Sequence, residues 1–315
     1  MPAQDSDSAQ LRTRKWRAHA ALFLMAVIWA VNFSVAKIAL RALSPLAFNA
    51  LRFPMAALAL FLLLRTHGPI QLPAPEDRLR VLGLGLLGNA IYQMGFIFGL
   101  DHTRAGTASV LLAGTPLMTA LLSARLGHER VSIRVLVGVF CTLAGIALVV
   151  WFDPRGEAGA QSSYLGPLLL LGASMSWAVY TVGSRRLVDR YGPLAVTFWT
   201  LTVGAAILFL IGLPSVSRTD LSALPLEMWL AIVYAGVLSI ALAYLIWYNG
   251  VAVLGNTRTA TYSNLVPVLT LGVAWLWLAE VPHPGQVVGA FVIIAGVSLA
   301  QIRGAQAQTS ISSPG

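Results

Sequence analysis

The residues of this sequence that could do chemistry are hydrogen-bonding side chains placed inside long apolar runs. The stretch IWAVNFSVAKIAL carries Asn32 in its body and Lys37 near its end. The later stretch MSWAVYTVGSRRL carries Tyr180 and Arg185 at the corresponding positions. An amide in hydrocarbon needs a partner. Asn32 therefore indicates either tight helix packing or contact with a molecule in a wet cavity.

Further amide, hydroxyl and aromatic side chains lie at comparable depth in other apolar runs. Such groups can hold a small amphipathic molecule, with rings against its apolar part and amides on its polar part, although each alone could equally serve helix packing. The paired positions favour a shared cavity. The candidate substrate-binding residues are Asn32, Tyr92, Gln93, Ser109, Trp177, Tyr180, Tyr244, Trp247, Tyr262 and Asn264.

Two prolines, Pro116 and Pro267, interrupt apolar runs. A proline inside a helix removes one hydrogen bond and frees the carbonyl four residues earlier, here at Leu112 and Ser263. Freed carbonyls within a membrane need protein or water as partners. The two prolines predict either a pair of hinges beside a substrate path or two static kinks.

Charged groups are scarce inside the apolar runs. The carboxylates of Asp101, Glu129 and Glu280 lie at the ends of runs, whereas proton-coupled carriers keep such groups inside the membrane. This distribution predicts a facilitator driven by the gradient of its substrate. Lys37 and Arg52 lie inside runs, and for both we favour snorkelling towards the interface, with carboxylate binding as the alternative for Arg52.

Several other chemistries are disfavoured. The single cysteine, Cys141, offers no disulfide framework and no cysteine-based metal site, so no metal or cofactor is predicted. The GLGLLG stretch at 83–88 lacks the preceding strand that a dinucleotide site requires. A membrane-embedded lipid enzyme would need a cluster of His, Asp and Glu at one depth, which the sequence lacks.

Composition defines the elements that must position these side chains. Of 315 residues, 57% are apolar and 10% charged, with a mean hydropathy of +0.75, which is typical of a multi-pass membrane protein. The net charge of +9 lies in short segments between apolar runs. The basic residues in these segments are expected to set the orientation of the helices in a lipid bilayer, and they do not indicate nucleic-acid binding.

About ten runs are long enough to span a bilayer. We predict spans at 18–38, 46–64, 81–100, 104–124, 134–152, 164–183, 193–213, 228–250, 257–279 and 286–302. Fifteen Lys and Arg residues fall on one side and five on the other, so both termini are predicted to be cytoplasmic. The first run is too long for a cleaved signal peptide and predicts a retained helix.

The two halves of the chain repeat each other. An offset of 148 aligns Trp29 with Trp177 and Pro45 with Pro193, and an offset of 151 later aligns Pro116 with Pro267. Each half holds five spans, an odd number, so the second half must enter the membrane from the opposite side. Inverted repeats are typical of secondary transporters, whose sites lie near the midplane between the repeats.

The repeat resembles the drug/metabolite transporter superfamily, in particular its ten-helix exporters built from two EamA-type repeats. The resemblance is carried by WAVNFSVAK…SPLAFNALRF and ASVLLAGTPLMTALLSARLGHE, matched by WAVYTVGSRR…YGPLAVTFW and TATYSNLVPVLTLGVAWLWLAE. Within that superfamily the chain is most similar to YddG-type exporters of aromatic and apolar amino acids. The resemblance implies a cavity lined by the first, third and fourth helices of each half.

We therefore expect an all-α integral membrane protein of two inverted five-helix repeats. The division is a cytoplasmic tail 1–17, a first EamA-type repeat 18–152, a linker 153–163, an inverted repeat 164–302 and a cytoplasmic tail 303–315. The expected function is export of apolar and aromatic amino acids across a bacterial inner membrane by alternating access. Efflux of cationic drugs is the alternative. The sequence leaves monomer or homodimer open, as it does whether the glycine-rich fifth and tenth helices pack together or across a dimer.

Overall fold

The structure is a computed structural model that describes residues 2–66, 72–125, 133–153, 164–254, 259 and 262–301. Every regular element in these ranges is helical, which confirms the all-α prediction. The helices are α1 (Pro2–Ala39), α2 (Pro45–Arg65), α3 (Pro75–Asp101), α4 (Ala105–Leu112), α5 (Thr115–Arg125), α6 (Ile133–Trp151), α7 (Leu165–Tyr191), α8 (Pro193–Ser217), α9 (Leu226–Leu254), α10 (Leu265–Leu278) and α11 (Pro284–Gln301).

Six of these helices are long and apolar enough to cross a membrane: α1 from Thr13 onward, α2, α3, α7, α8 and α9. Five of them contain the predicted spans, and the sixth, α7, begins one residue after the predicted start at 164 and continues to Tyr191 beyond the predicted end at 183. Helix α1 begins at Pro2 and so includes much of the segment assigned to an N-terminal tail. The fourth predicted span is divided between α4 and α5.

Both predicted kinks coincide with interruptions of the helix. The fourth span breaks at Ala113, and the carbonyl of Leu112 accepts a hydrogen bond from the hydroxyl of Thr115 at 2.6 Å. Pro116 then lies in the first turn of α5, and Pro267 lies in the first turn of α10. A proline is well tolerated there, because the first helical N–H groups have no partner within the helix. That these breaks act as hinges stays a prediction.

The second helix of each half begins with the same device. Ser44 accepts a hydrogen bond from the N–H of Ala47 at 3.3 Å, and Pro45 takes the first helical position of α2. In the second half Gly192, with φ of 81°, precedes Pro193 at the start of α8. The fixed φ of proline suits the first helical position, so a proline that follows a capping or turn residue defines where both helices begin. The repeated SPLA and GPLA motifs therefore have a local structural cause.

Helices α1–α6 form the first half and helices α7–α11 the second, and the two halves interleave. The equivalent helices α2 and α8 pack together, as do α6 and α11. Helix α1 packs on α9 and α10, while α7 packs on α3 and α5. The first helix of each half therefore lies against the third helix of the other half. It also lies against part of the other half's fourth span, which is α10 for α1 and α5 for α7. This exchange brings most of the candidate residues to the boundary between the halves.

Glycines close the α6–α11 contact. A Cβ on Gly145 would lie 2.7 Å from the carbonyl oxygen of Gly289, and one on Gly296 would lie 2.8 Å from that of Gly138. No side chain fits at such distances, so the two backbones can touch only because these positions are glycine. The glycine-rich fifth and tenth helices therefore pack against each other within one chain.

Candidate functional site

One π-helical segment interrupts the third helix of each half, and the two segments lie at equivalent places. They span Leu86–Ile91 in α3 and Tyr234–Leu242 in α9, and at the offset of 151 their last residues correspond. A π segment inserts an extra residue into a helical turn and is frequent at functional sites. The residues that follow directly include Tyr92, Gln93 and Tyr244, three of the candidate substrate-binding residues.

Each π segment offers a carbonyl to the other half. The indole Nε1 of Trp29 donates to the carbonyl of Ser239 at 2.9 Å, and the hydroxyl of Ser176 donates to the carbonyl of Leu87 at 2.7 Å. The first helix of each half thus binds the π segment of the opposite half. These bonds satisfy backbone groups that would be costly to leave unpaired within a membrane.

Two equivalent glycines let the second helices approach as well. A Cβ on Gly236 would lie 2.6 Å from the carbonyl oxygen of Arg52, and a Cβ on Gly85 would lie 2.9 Å from that of Thr200. Gly85 and Gly236 correspond at the offset of 151, and Arg52 and Thr200 correspond at the offset of 148. The same close approach therefore occurs twice, once on each side of the boundary between the halves.

Several candidate residues gather beside the first π segment. The ring of Trp177 lies 4.9 Å from that of Tyr92 and 5.1 Å from that of Tyr180, centroid to centroid. The ring of Phe96 stacks on Tyr92 at 6.3 Å. Tyr180 also covers Gly88 of the π segment, where a Cβ would come within 2.3 Å of its ring. We call Arg52, Tyr92, Gln93, Phe96, Trp177 and Tyr180 the central cluster.

Arg52 is the charged member of the central cluster and is 1% exposed. Its Nε donates to the side-chain oxygen of Asn49 at 3.0 Å, and one Nη donates to that of Gln93 at 2.9 Å. Its guanidinium lies 4.6 Å from the ring centroid of Phe48 and 5.8 Å from that of Phe96. The snorkelling prediction for Arg52 is wrong, because the side chain ends inside the protein.

Arg52 has no carboxylate partner in the part of the chain that the structure describes. The ion pairs there join Arg190 to Glu76 and Asp77, where α7 meets the start of α3. Burying a charge without a counter-charge costs on the order of several kcal/mol, because the ion loses its hydration. Amide oxygens and aromatic faces offset part of that cost. The positive charge of Arg52 therefore lies beside aromatic rings and is not neutralised by a described carboxylate.

The remaining candidates divide between other places. Trp247 pairs with Trp29 of α1 at 5.8 Å between ring centroids, and Tyr262 bonds to His19, nearer the N-terminal end of the same helix, at 2.7 Å. Tyr244 packs beside the apolar group that contains Phe53 and Ala90. Asn264 donates to Ser298 of α11 at 3.3 Å, and Ser109 donates to the carbonyl of Gly106 in its own helix at 2.7 Å. Among the described contacts, neither of these two touches the central cluster.

Asn32 is 8% exposed, and its side-chain oxygen is a buried acceptor without a partner among the described residues. Its repeat equivalent, Tyr180, has a partner, since the hydroxyls of Tyr180 and Thr200 lie 3.2 Å apart. Leaving a buried acceptor unpaired costs about 1–3 kcal/mol. Such an orphan group in a well-packed region calls for a ligand or a water molecule.

One end of the bundle is held by side chains that cap helices. Lys37 donates to the carbonyls of Leu100, Asp101 and Thr103, at 2.8–2.9 Å, at the C-terminal end of α3. Glu280 accepts from the backbone N–H groups of Ala105 and Gly106 at 3.1 and 3.2 Å. Both charges suit the helix dipole at the end that they cap. Instead of extending to the headgroups, Lys37 therefore ends on protein carbonyls.

A second contact at the same end also joins the halves. The side-chain nitrogen of Gln286 in α11 donates to the hydroxyl of Thr107 and to the carboxylate of Asp153, both at 3.0 Å. Thr107 in turn donates to Asp153 at 2.9 Å. Together with Glu280, which joins α10 to α4, these bonds close this end of the boundary. Arg185, the repeat equivalent of Lys37, is exposed at the other end and has no hydrogen bond among the described residues.

That other end holds a cleft. A cleft of about 790 Å³ lies between the N-terminal part of α1 and the last turns of α9, lined by Thr13, Arg14, Arg17, Ala18, Ala21, Asn249 and Val253. Two arginines on its wall give the opening a positive character, which raises the local concentration of anionic groups.

Sequence reasoning missed the π segments, the caps by Lys37 and Glu280, and the burial of Arg52. A signal existed only for the close approach of the second helices, because Gly85 and Gly236 correspond in the repeat. No comparable signal existed for Arg52. Its distance from the start of α2 fits both a snorkelling and a buried side chain, and only the neighbouring helices decide between them.

A helical bundle of two interleaved repeats that spans the membrane, with polar groups between the repeats, is the architecture of a secondary transporter. The EamA-like transporter family matches residues 16–151 and again 164–301. This chain belongs to that family, and it is a multi-pass membrane transporter and not an enzyme.

The chain is similar to several transporters over most of its length. It is 30% identical over 298 residues to a probable terminal-alkyne amino-acid exporter of Streptantibioticus cattleyicolor, covering 94% of this chain and 97% of that protein. It is 28% identical over 267 residues to the uncharacterized transporter YyaM of Bacillus subtilis, covering 84% and 87%. It is 27% identical over 284 residues to a probable amino-acid metabolite efflux pump of Escherichia coli, covering 87% and 91%.

A solved crystal structure with 20% sequence identity superposes with a TM-score of 0.62, over 94% of this chain and 99% of the other. At this identity the likeness concerns the fold alone.

Proposed function

We propose that this transporter exports apolar and aromatic amino acids from the bacterial cytoplasm across the inner membrane. The observation that carries the proposal is the central cluster, in which the rings of Tyr92 and Trp177 come from opposite halves and meet at 4.9 Å, and the amide oxygen of Gln93 accepts from Arg52 at 2.9 Å. Rings suit an apolar side chain, and an amide suits the polar groups of an amino acid. The names of the relatives from Streptantibioticus cattleyicolor and Escherichia coli support this substrate class.

The proposed mechanism is alternating access. The contacts of Glu280 and Gln286 at one end would open as those at the other end close, while the central cluster stays at the boundary. The breaks before Pro116 and Pro267 supply places where backbone angles can change. No carboxylate of the sequence lies in the middle of a predicted span, which supports a facilitator without proton coupling.

Efflux of cationic drugs is the competing function. A site for cations within a membrane normally supplies a carboxylate. The buried charge of the central cluster is the cation Arg52, which would repel such a substrate. The sign of this charge therefore favours amino acids over cationic drugs.

The test is counterflow in proteoliposomes with labelled phenylalanine, tryptophan, methionine and threonine, and with a labelled cationic drug, with and without a pH gradient. We expect amino-acid counterflow that does not respond to the gradient. Trp177→Ala and Gln93→Ala should reduce it at least tenfold, whereas Trp275→Ala, at a tryptophan that is 56% exposed on the outer surface, should not. Counterflow of the cation alone, driven by the pH gradient, would refute the proposal.

A further inference from the structure

Arg52 and Asn32 have repeat equivalents that form a bonded pair. The offset of 148 relates Asn32 to Tyr180 and Arg52 to Thr200. In the second half, the hydroxyls of Tyr180 and Thr200 lie 3.2 Å apart, and α7 packs directly on α8. In the first half, the side-chain oxygen of Asn32 has no partner among the described residues, and α1 and α2 make no comparable contact there.

Asn32 and Arg52 of the first half are of opposite kind. Asn32 offers a buried acceptor oxygen. Arg52 offers a buried cation whose bonds use Nε and one terminal nitrogen. A guanidinium has five N–H donors in a fixed planar arrangement, and no described hydrogen bond of Arg52 uses the other terminal nitrogen. One ligand that carries both an anion and a hydrogen-bond donor would complete both residues.

We propose that Arg52 and Asn32 form the binding site for the charged end of a zwitterion, an α-amino acid with a free carboxylate. Arg52 binds the carboxylate, and the side-chain oxygen of Asn32 accepts a hydrogen bond from the ammonium group. This inference rests on the proposed function and deepens it, because it assigns recognition of the substrate class to two residues of the first half.

The surroundings of Arg52 favour binding over a purely structural role. Gln93 and Asn49 fix the guanidinium through neutral oxygens at 2.9 and 3.0 Å, so its charge is oriented but not neutralised. A carboxylate supplies the missing negative charge, and an arginine can bind it through two parallel hydrogen bonds. A desolvated site strengthens this attraction relative to water.

Aromatic rings beside Arg52 offer a surface on which the side chain of the ligand can pack. Phe96 contacts the guanidinium of Arg52 and also stacks on Tyr92, which meets Trp177. A ligand anchored by its carboxylate at Arg52 can therefore extend its side chain along these rings. Burial of an aromatic side chain there contributes to affinity in proportion to the apolar area removed from water.

The experiment separates the two ends of the ligand. Binding to the purified full-length protein is measured by calorimetry with three probes: phenylalanine, 3-phenylpropionate, which lacks the amine, and phenethylamine, which lacks the carboxylate. We expect Arg52→Gln to weaken the binding of phenylalanine and phenylpropionate at least tenfold and not to weaken that of phenethylamine, because the repulsion between two cations is removed. We expect Asn32→Leu to weaken phenylalanine and phenethylamine and to leave phenylpropionate unchanged.

The controls exclude a loss of fold. Arg65→Gln alters an exposed arginine of the same helix that lies 5.8 Å from the ring of Phe61, and it should change none of the affinities. Arg52→Lys keeps the charge but loses the paired geometry, so it should retain the preference for carboxylates at lower affinity. Size-exclusion profiles and thermal unfolding report whether each variant folds. If Arg52→Gln does not fold, Arg52→Lys carries the test.

The outcomes distinguish the inference from the proposed function. If the wild-type protein binds phenylalanine and Arg52→Gln binds it equally well, the inference is wrong and the function stands. Equal weakening of all three probes by a folded Arg52→Gln also overturns the inference, since that is the result of a structural role. If the wild-type protein binds phenylpropionate and not phenylalanine, Arg52 binds carboxylates but the amino-acid function falls.

Discussion

The carboxylate of Glu280 offers the sharpest test of how one end of the bundle is closed. It accepts hydrogen bonds from the N–H groups of Ala105 and Gly106 at 3.1 and 3.2 Å, and so joins α10 of the second half to the start of α4 in the first. Replacing Glu280 with alanine removes both bonds and leaves two N–H groups at the start of a helix without this acceptor.

The expected magnitude follows from these two bonds. Hydrogen bonds to a charged group contribute about 1.5–3 kcal/mol each, and a carboxylate at a helix N-terminus adds about 0.3–1 kcal/mol. The contact is only partly buried, and water replaces part of what is lost. We expect a net loss of about 2 kcal/mol in the closed state, which corresponds to a roughly 30-fold higher open population.

The assay measures that population as the accessibility of a buried site. Ser109 in α4 is 2% exposed, and Ser109→Cys in a Cys141→Ala background gives one thiol that a membrane-impermeant maleimide reaches only when this end opens. The labelling rate should rise about 30-fold with Glu280→Ala, in line with the estimate above. Glu227→Ala, at an exposed carboxylate in the first turn of α9, is the control and should not change it. Equal rates in both variants would refute the reasoning.

Three further predictions follow from single contacts. Gly236→Ala places a Cβ 2.6 Å from a backbone oxygen of α2 and should lower the free energy of unfolding by about 1–3 kcal/mol, whereas Gly83→Ala, with open space around it, should not; thermal unfolding compares them. Lys37→Met should speed amide exchange in the last turn of α3, whereas Arg185→Met should leave it unchanged. The pKa of the Asp220 carboxyl is lowered by hydrogen bonds from the Ser222 hydroxyl and from adjacent N–H groups. The ionised carboxylate therefore stabilises that turn at neutral pH, and this stabilisation is lost as the pH falls through the lowered pKa. Amide exchange in the turn should become faster at low pH, and Asp220→Asn should abolish this pH dependence.

The architecture could be predicted from the sequence because its causes are local or repeated. Runs of apolar residues fix the helices, and matched residues such as Trp29 and Trp177 reveal the duplication. The broken helices at Pro116 and Pro267 follow from the missing N–H of proline. Paired glycines such as Gly145 and Gly289 indicated close packing of these two helices, but the sequence left open whether they pack against each other or across a dimer.

The candidate site was only partly predictable because its causes are not local. Tyr92, Trp177 and Tyr180 were selected by depth, and their rings do meet in the structure. Gln93, selected in the same way, bonds to Arg52. The burial of Arg52 depends on where α3 and the π segment of α9 lie, and a hydropathy pattern carries no information on either. The same holds for Asn264, whose bond to Ser298 is set by the packing of α11.

The two π segments have a consequence for how this protein tolerates changes in length. A π turn holds one residue more than an α turn, so each segment takes up one extra residue that would otherwise rotate the following part of the helix by about 100°. Deleting one residue from Leu86–Ile91 would leave a hydrophobic helix still long enough to cross the bilayer. It would also restore an α turn in place of the π turn and leave Tyr92 and Gln93 facing Trp177 and Arg52. A single-residue deletion inside a π segment is therefore tolerated in orientation, whereas the same deletion elsewhere in α3 or α9 would turn the following side chains away from their partners.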